Sequence, residues 1–484
     1  MHIVFAASEC VPYAKTGGLA DVVGSLPAEL AKLGHRVTVY LPRYRQVAKM
    51  IPNPPVALRS VTIPFAYYNR FAAILDGGVT HGVQHYFVDC PEMFDRENFY
   101  STPSGDYGDN AERFGLFCRA VLEASKQLGV PDVFHVHDWQ ASMLTVLLRS
   151  TYFFDPVLRN VPSVLTIHNA GYQGWFPPDT MEKLLLPWDM FTMDKLEHFD
   201  TVNFLKGGIV YADAITTVSR KYAEEIQTPE LGASLDGVLR DRSADLVGIL
   251  NGVDYAEWNP ATDHNIAAHY TAANLEGKQE CRRDLLHAFG LDHIAAETPV
   301  IGLVSRFTSQ KGFDLLSETI DKLALEDMVL IALGNGEQFY EDMMREMEAR
   351  FPGKLRVMVK YDNVLAHKIE AGADLFLMPS RYEPCGLNQI YSLKYGTVPV
   401  VHATGGLDDT IDNWDMETNT GTGFKFRDYT PEALLDTTRW ALDTFRSKEA
   451  WSALMQNGMA QDYSWKRPAE EYAALYERVV RQRS

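Results

Sequence analysis

Arg306 and Lys311 bracket a polar stretch, Ser305-Arg306-Phe307-Thr308-Ser309-Gln310-Lys311-Gly312, that follows the apolar run Val300 to Val304. Two cations on one loop suit a diphosphate and would stabilise the charge gathering on it as a leaving group. A pair of solvated charges is the plain alternative, but in an acidic chain a local basic pair is informative. A second cluster, Pro379-Ser380-Arg381-Tyr382-Glu383-Pro384-Cys385-Gly386-Leu387, follows Leu375 to Met378 and leads into a helical pattern. It offers a carboxylate and backbone N–H groups at one point. Glu383 could bind sugar hydroxyls or stabilise positive charge at an anomeric carbon, or serve only as a helix cap.

Thr-Gly-Gly-Leu-x-Asp occurs twice, as Thr16-Gly17-Gly18-Leu19-Ala20-Asp21 and Thr404-Gly405-Gly406-Leu407-Asp408-Asp409. Each copy follows a short apolar segment, His2 to Ser8 or Val398 to His402, and precedes a helical start. Strand, glycine pair and helix N-terminus together expose backbone N–H groups to which a phosphate can bind. One such pair alone reads as a tight turn; two copies suggest two nucleotide-binding-type α/β domains facing each other. Lys15, just before the first copy, is placed to pair with a phosphate held there, unless it is an ordinary solvated lysine.

Two more strand ends carry polar groups. His137-Asp138-Trp139 follows Val133 to Val136, where Asp138 could orient a sugar hydroxyl and Trp139 stack on a sugar face. A capping Asp beside a core Trp is the competing reading. His168-Asn169 follows Val164 to Ile167, and the next residues, Ala170-Gly171-Tyr172-Gln173-Gly174-Trp175, add polar and aromatic groups of the kind found in carbohydrate sites.

Other chemistries lack their signatures. There is no Gly-x-Gly-x-x-Gly, since Gly334-Asn335-Gly336 lacks the third glycine, and no Gly-x-x-x-x-Gly-Lys-[Ser/Thr]. A dinucleotide dehydrogenase and P-loop phosphoryl transfer are therefore disfavoured. No Asp-x-Asp occurs, so no metal site for a nucleotide sugar is expected, and leaving-group charge falls to Arg306, Lys311 and backbone dipoles.

The elements that must position these residues alternate between strand and helix. In the first half, Arg36 to Leu41, Val133 to His137, Val164 to His168, Ile215 to Val218 and Val247 to Leu250 read as strands, and Glu112 to Leu128 as a helix. Arg70 to Asp76 and Gly82 to Asp89 read as a hairpin with its turn near Asp76-Gly77-Gly78. The pattern restarts with Val300 to Ser305, Val329 to Leu333, Leu355 to Val359, Leu375 to Met378 and Val398 to His402. Short apolar strands between helices imply parallel sheets covered on both faces. The polar stretch Asp254 to Lys278 is the expected junction, and Pro468 to Arg483 reads as an amphipathic helix.

The chain's 484 residues suffice for two to four domains, and 46% hydrophobic content supports ordinary cores. A net charge of −19 disfavours nucleic acid and anionic membrane as partners. No apolar run approaches a membrane span, and the N-terminus reads as a strand and not as a secretory signal. Five scattered cysteines without Cys-x-x-Cys point to a reducing cytoplasm and away from zinc or disulfides.

Taken together, Lys15-Thr16-Gly17-Gly18-Leu19-Ala20-Asp21, His137-Asp138-Trp139, Thr166-Ile167-His168-Asn169, Asn251-Gly252-Val253-Asp254, Arg306 with Lys311-Gly312, Pro379 to Gln389 and Thr404-Gly405-Gly406-Leu407 closely resemble the bacterial glycogen synthases and plant starch synthases. The motifs span almost the whole chain in that family's order. The resemblance implies two Rossmann-like, doubly wound α/β domains facing a deep cleft, the GT-B glycosyltransferase type. By it, residues 1–253 form the acceptor-binding domain, 254–465 the nucleotide-sugar domain, and 466–484 a final helix expected to return to the first domain.

The implied activity is retaining transfer of glucose from ADP-glucose to the non-reducing end of an α-1,4-glucan, with no cofactor. By matching motif, His168, Glu383, Arg306, Lys311 and Asp138 are the expected catalytic residues. Lys15, Gly17, Gly18, Asn251, Arg306, Lys311, Tyr361, Cys385, Gly386, Leu387, Thr404, Gly405 and Gly406 are expected on the donor, with Tyr361 stacking on adenine. Asp21, Asn169, Tyr172, Gln173 and Trp139 are expected on the acceptor. Arg220 after Thr217-Val218-Ser219, Lys360 and Asn363 depart from the family's usual residues. No residue declares itself a nucleophile, so same-face substitution is favoured, with His168 near the reacting carbon. Lys311→Ala is expected to abolish most turnover at little cost in melting temperature. A UDP-glucose or small-acceptor transferase, a non-catalytic glucan- or nucleotide-sugar-binding protein, and a pyridoxal-phosphate phosphorylase remain the alternatives.

Overall fold

The computed structural model describes residues 1–483, which divide into two compact units. The first comprises Met1–Gly252 and the chain from Trp465 onward; the second is Val253–Ser464.

The first unit is built on a nine-stranded sheet, in the order Leu246–Gly248, Ala214–Thr217, Ser163–Ile167, Val133–His137, His2–Ala6, Arg36–Pro42, Val83–Asp89, Asn69–Thr80, Val56–Pro64. The strands from Leu246–Gly248 through Val83–Asp89 are parallel, and the last two pair antiparallel. From His2–Ala6 the chain first builds one side of the sheet, then returns to Val133–His137 and builds the other. Those two adjacent strands are the switch point, beyond whose carboxyl ends ligands bind in such sheets. The strands there are buried almost throughout because helices cover both faces, and even His135 and His137 are buried.

The second unit's six-stranded parallel sheet runs Leu355–Val359, Val329–Gly334, Val300–Val304, Leu375–Met378, Val398–His402, Phe424–Phe426. Numbered by sequence, that is the doubly wound order 3-2-1-4-5-6. Its switch point lies between Val300–Val304 and Leu375–Met378. One apolar layer packs Phe313, Leu316 and Ile320 beneath the sheet; another packs Leu285, Ile369 and Leu407 on the opposite face.

Three expectations need correction. The turn between Asn69–Thr80 and Val83–Asp89 falls at His81-Gly82, where φ is 50° and 80°. Asp76 to Gly78 instead form a bulge inside the strand, and a side chain on Gly77 would meet the Phe87 ring at 2.7 Å. The polar stretch Asp254 to Lys278 is packed into the second unit. Trp258 is stacked between His367 and Tyr391, at 3.7 and 4.0 Å, and buried Lys278 donates to the carbonyls of Ala371 and Tyr395. The unit boundaries fall one residue earlier than expected. The Val253 N–H donates to Tyr463 O, while Trp465 lies against Gly252 with no room for a side chain on that glycine.

The final helix, Lys466–Arg483, belongs to the first unit and packs on the helix Gly18–Lys32. It buries Tyr472 and Tyr476, and the Tyr476 hydroxyl lies 2.7 Å from His135 Nδ1.

Candidate active site

In the second unit, the residues just past the two switch-point strands meet. The loop after Val304 carries Arg306 and Lys311; the loop after Met378 carries Glu383. Lys311 Nζ donates to Glu383 Oε2 at 2.5 Å, and the Ser380 hydroxyl donates to the same oxygen at 3.1 Å. The Arg381 N–H donates to Gln310 O at 2.9 Å, tying one loop to the other. Gly312 permits the approach: its φ is 82°, and a side chain would strike Pro379 O at 2.0 Å. Glu383 is 6% exposed, so it is a buried carboxylate held by a cation and a hydroxyl. Arg306 is exposed, and its side chain has no ion pair or hydrogen-bond partner among the described residues. In Thr308, between the two cations, a buried hydroxyl oxygen also lacks a partner.

Lys311 is therefore not the solvated lysine that a small stability cost on removal presumes. It is 19% exposed and neutralises a buried charge, so its removal is expected to destabilise the fold.

The second Thr-Gly-Gly packs against this site. Gly406 N–H donates to the carbonyls of Glu383 and Pro384. A side chain on Gly405 would strike Glu383 O at 1.9 Å, and one on Gly406 would strike Cys385 O at 2.0 Å. These glycines are required by contact with the chain itself. Thr404 and Cys385 are buried; Gly386 is left-handed, with φ 69°, and Leu387 starts the helix Asn388–Lys394. Tyr361 stands 76% exposed after the strand Leu355–Val359, flanked by the Lys360–Asp362 ion pair.

The first Thr-Gly-Gly is different. Gly17 and Gly18 are exposed, have no left-handed φ, and a side chain on either would meet nothing within 4 Å. The chain itself does not require glycine there, which leaves the backbone open to a ligand. Two of the N–H groups expected to be free are engaged, however. Glu9 accepts from Thr16 N, Thr16 Oγ1 and Gly17 N, and also from the Tyr100 hydroxyl at 2.6 Å. Lys15 pairs with Asp21 at 2.7 Å.

At the first unit's switch point, Asp138 and His168 come together. The His168 N–H donates to Asp138 Oδ1 at 2.7 Å, and His168 Nε2 lies 2.9 Å from His137 Nδ1. Asp138 holds a left-handed φ of 55°, a strained setting for a non-glycine residue at a strand-to-helix corner. Burial, reinforced by the Glu9 charge, pushes its carboxyl up to about 7. Burial pushes His168 down to about 3 and His137 well below the usual imidazole range. His168 is thus a neutral hydrogen-bonding group at neutral pH. Asn251 is buried, and its side-chain oxygen has no partner among the described residues.

Two expected acceptor residues are not available to a sugar. Trp139 is 7% exposed, packed by Phe114, Phe176 and Phe204, and Gly174 sits so close that a side chain there would meet the indole at 2.5 Å. Buried Gln173 commits its amide to Ala170 O, Ala233 O, Trp175 Nε1 and Asn203 Nδ2. Tyr172 is exposed; Asn169 is half-buried, and its side chain accepts from the Gly171 N–H. Glu9, Ser380 and His137 bond to expected site residues without being expected in the site themselves, although His137 and Ser380 lie within the quoted motifs. Position does point to Glu9, since it too stands just past a switch-point strand. Among the described residues, no group of three or more His, Cys, Asp or Glu side chains is arranged to hold a metal ion.

The chain matches known families, sequences and solved structures. A family described as starch synthase catalytic domain matches residues 2–241, and one described as glycosyl transferases group 1 matches residues 292–454. The chain is 58% identical to a glycogen synthase of Koribacter versatilis, covering 100% of this chain and 99% of that one. It is 44% identical to a glycogen synthase 1 of Geobacter metallireducens, covering 100% and 97%. The solved catalytic domain of starch synthase IV from Arabidopsis thaliana, bound to ADP and acarbose, is 32% identical with a TM-score of 0.88 over 99% of each chain. A sucrose-phosphate synthase from Thermosynechococcus elongatus, 14% identical with a TM-score of 0.60, shares the fold. The chain belongs to the glycogen and starch synthase family of glycosyltransferases, with the two Rossmann-like domains of the GT-B class.

Proposed function

We propose that this chain transfers glucose from ADP-glucose to the non-reducing end of an α-1,4-glucan, with retention and release of ADP. The observation that carries this reading is the switch-point constellation of the second unit: an unpaired Arg306 on the same loop as Lys311, which is bonded to buried Glu383. The ADP bound to the Arabidopsis starch synthase and the names of the bacterial relatives support it.

In this reading, Arg306 and Lys311 take the diphosphate. Lys311 can serve both partners because an ammonium has three donors, one of them already given to Glu383. The diphosphate then leaves with its charge opposed by cations fixed before reaction begins. Glu383, Asp138, His168 and Asn251 hold the glucosyl unit; His168 does so as a neutral donor or acceptor, and Asn251 with its unpartnered oxygen. The open backbone at Gly17 and Gly18, with Lys15, completes the donor side, and Tyr361 stacks on adenine. Cys385, Gly386, Leu387, Thr404, Gly405 and Gly406 shape the donor pocket and hold Glu383 in place. Asp21, Asn169 and Tyr172 face the acceptor. Same-face substitution gives retention without a covalent intermediate.

We assign the donor nucleotide mainly to the second unit and the glucan acceptor to the first, with no cofactor or metal. Five free, buried cysteines fit a cytoplasmic setting. No helix among the described residues is long and apolar enough to cross a membrane. The test is an ADP-release assay on a defined maltooligosaccharide with ADP-glucose and UDP-glucose, with the product anomer read by NMR. ADP-glucose preference with an α-1,4 product is expected. A UDP-glucose preference would replace the donor, and tight donor binding without turnover would make the protein a binder.

A further inference from the structure

Trp175 and Phe199 expose their rings side by side on the first unit. Trp175 is 49% exposed and Phe199 68%, with ring centroids 6.1 Å apart and planes tilted by 43°. Both ride on a small three-stranded sheet of Trp175–Phe176, Thr201–Asn203 and Glu197–His198. Large exposed aromatics are usually mobile or incidental, but these are anchored. The Trp175 indole donates to Gln173 Oε1 at 2.8 Å, and Gln173 in turn fixes Asn203 and the Ala233 carbonyl. His198 lies edge-on to Trp175 at 5.4 Å and reaches Ser234 O.

The platform is also strained. Phe199 and Asp200 at the hairpin tip have φ of 53° and 59°, and Ala233 and Ser234 in the supporting loop have 50° and 66°. A left-handed phenylalanine is a poor choice for a turn that glycine or asparagine would make without cost. Neither core packing nor turn geometry calls for that ring. Strain retained at an exposed, anchored aromatic points to a ligand.

We propose that Trp175 and Phe199 form a stacking platform for an α-glucan chain, distinct from the Arg306–Glu383 constellation. A pyranose ring offers C–H groups on its faces, which suit an aromatic surface, and hydroxyls on its rim, which suit carboxylates. Glu197 and Asp200, which flank His198-Phe199 in the hairpin, supply carboxylates on the same element, with the Asp200 N–H donating to Glu197 Oε1 at 2.8 Å. The same carboxylates, in a chain of net charge −19, repel an anionic ligand and favour a neutral polyhydroxylated one. The platform would hold a long acceptor near the enzyme between transfers, and this rests on the reading that the acceptor is an α-glucan.

The test is affinity electrophoresis of the full chain through gels containing glycogen, for the native protein, Phe199→Gly and Trp175→Ala. Size-exclusion runs and thermal melts accompany it, as does ADP release by the native protein with ADP-glucose and maltotriose. The native protein is expected to be retarded, and each variant to bind glycogen roughly five- to tenfold more weakly, the scale of an aromatic anchor lost from a binding face. Phe199→Gly should melt no lower than native, because glycine accepts the left-handed turn. That variant keeps the test open if Trp175→Ala fails to fold. Equal retardation of native and Phe199→Gly overturns the proposal, as does a native protein that glycogen does not retard. Native self-association lost in the variants, with glycogen binding intact, makes the platform a docking face for a second copy and also overturns it. Weakened glycogen binding in the variants, with no ADP release by the native protein, upholds the platform and refutes only the transferase reading.

Discussion

Lys311 Nζ lies 2.5 Å from Glu383 Oε2, although 72 positions separate the two residues in the chain. The side chain of Arg306, on the same loop as Lys311, has no partner among the described residues. The two cations therefore call for different outcomes on removal. Arg306→Ala should lower kcat by about 10²–10³, the loss of one electrostatic contact to the departing group. Its stability should stay within about 0.5 kcal/mol of native, as for an exposed, unpaired side chain. Lys311→Ala should lose similar activity and also destabilise by on the order of 3 kcal/mol, because a buried carboxylate is left without its cation. Steady-state kinetics and denaturant melts on both variants decide this. Equal stability of the two would mean the ion pair contributes nothing.

The two Thr-Gly-Gly copies should also separate. Gly405→Ala and Gly406→Ala should each destabilise by more than about 2 kcal/mol and reduce turnover, since the new methyl lands on the carbonyls of Glu383 or Cys385. Gly17→Ala and Gly18→Ala meet open space and should leave stability within about 0.5 kcal/mol of native. If phosphate uses that backbone, their donor KM should rise while glucan KM stays fixed. An unchanged donor KM in both would remove the first loop from the donor site.

Asp138 should give activity a pH dependence. Its folded carboxyl keeps a proton up to about 7, whereas an unfolded one releases it near 4. The stability from this group is therefore full below the unfolded value and is lost as pH rises through about 7. His168 acts in the opposite sense. Held down to about 3 when folded, it stabilises fully above its unfolded value near 6.5 and loses that contribution as pH falls. With the carboxylate as the form that supports positive charge at the anomeric carbon, kcat/KM should rise through pH about 7. Asp138→Asn should flatten that rise, and a retained inflection in the variant would assign it to another group.

Tyr476 should anchor the final helix to the first unit. Its buried hydroxyl meets His135 Nδ1 at 2.7 Å, and His135 Nε2 meets Thr166 Oγ1 at 2.6 Å. Burial holds His135 neutral, so the contact is an uncharged hydrogen bond. Tyr476→Phe should cost about 1–2 kcal/mol in urea denaturation, the penalty for leaving a buried ring nitrogen without its hydrogen-bond partner. A variant as stable as native would show that ring packing alone secures the helix.

Much of the site is legible in the sequence because doubly wound sheets put ligand-binding residues just past strand ends. Val300–Val304 and Leu375–Met378 are recognisable as buried parallel strands from unbroken apolar runs, so Arg306, Lys311 and Glu383 can be found by position. Val56–Pro64 escapes such a reading because it lies at the sheet edge, where exposed and buried residues mix and no clean run survives.

The sequence by itself determined the buried parallel strands of both sheets, that the chain repeats a nucleotide-binding pattern, and which side chains stand at those strand ends. These are local properties, written in apolar runs and glycine pairs. Only the tertiary structure decided which of those side chains are engaged by the protein itself. It turned Trp139 and Gln173 inward, filled the N–H groups of Thr16 and Gly17 with Glu9, and gave two identical glycine motifs opposite reasons for being glycine. Those outcomes depend on contacts between residues far apart in the chain, and the spacing of residues along one strand or loop carries no record of them.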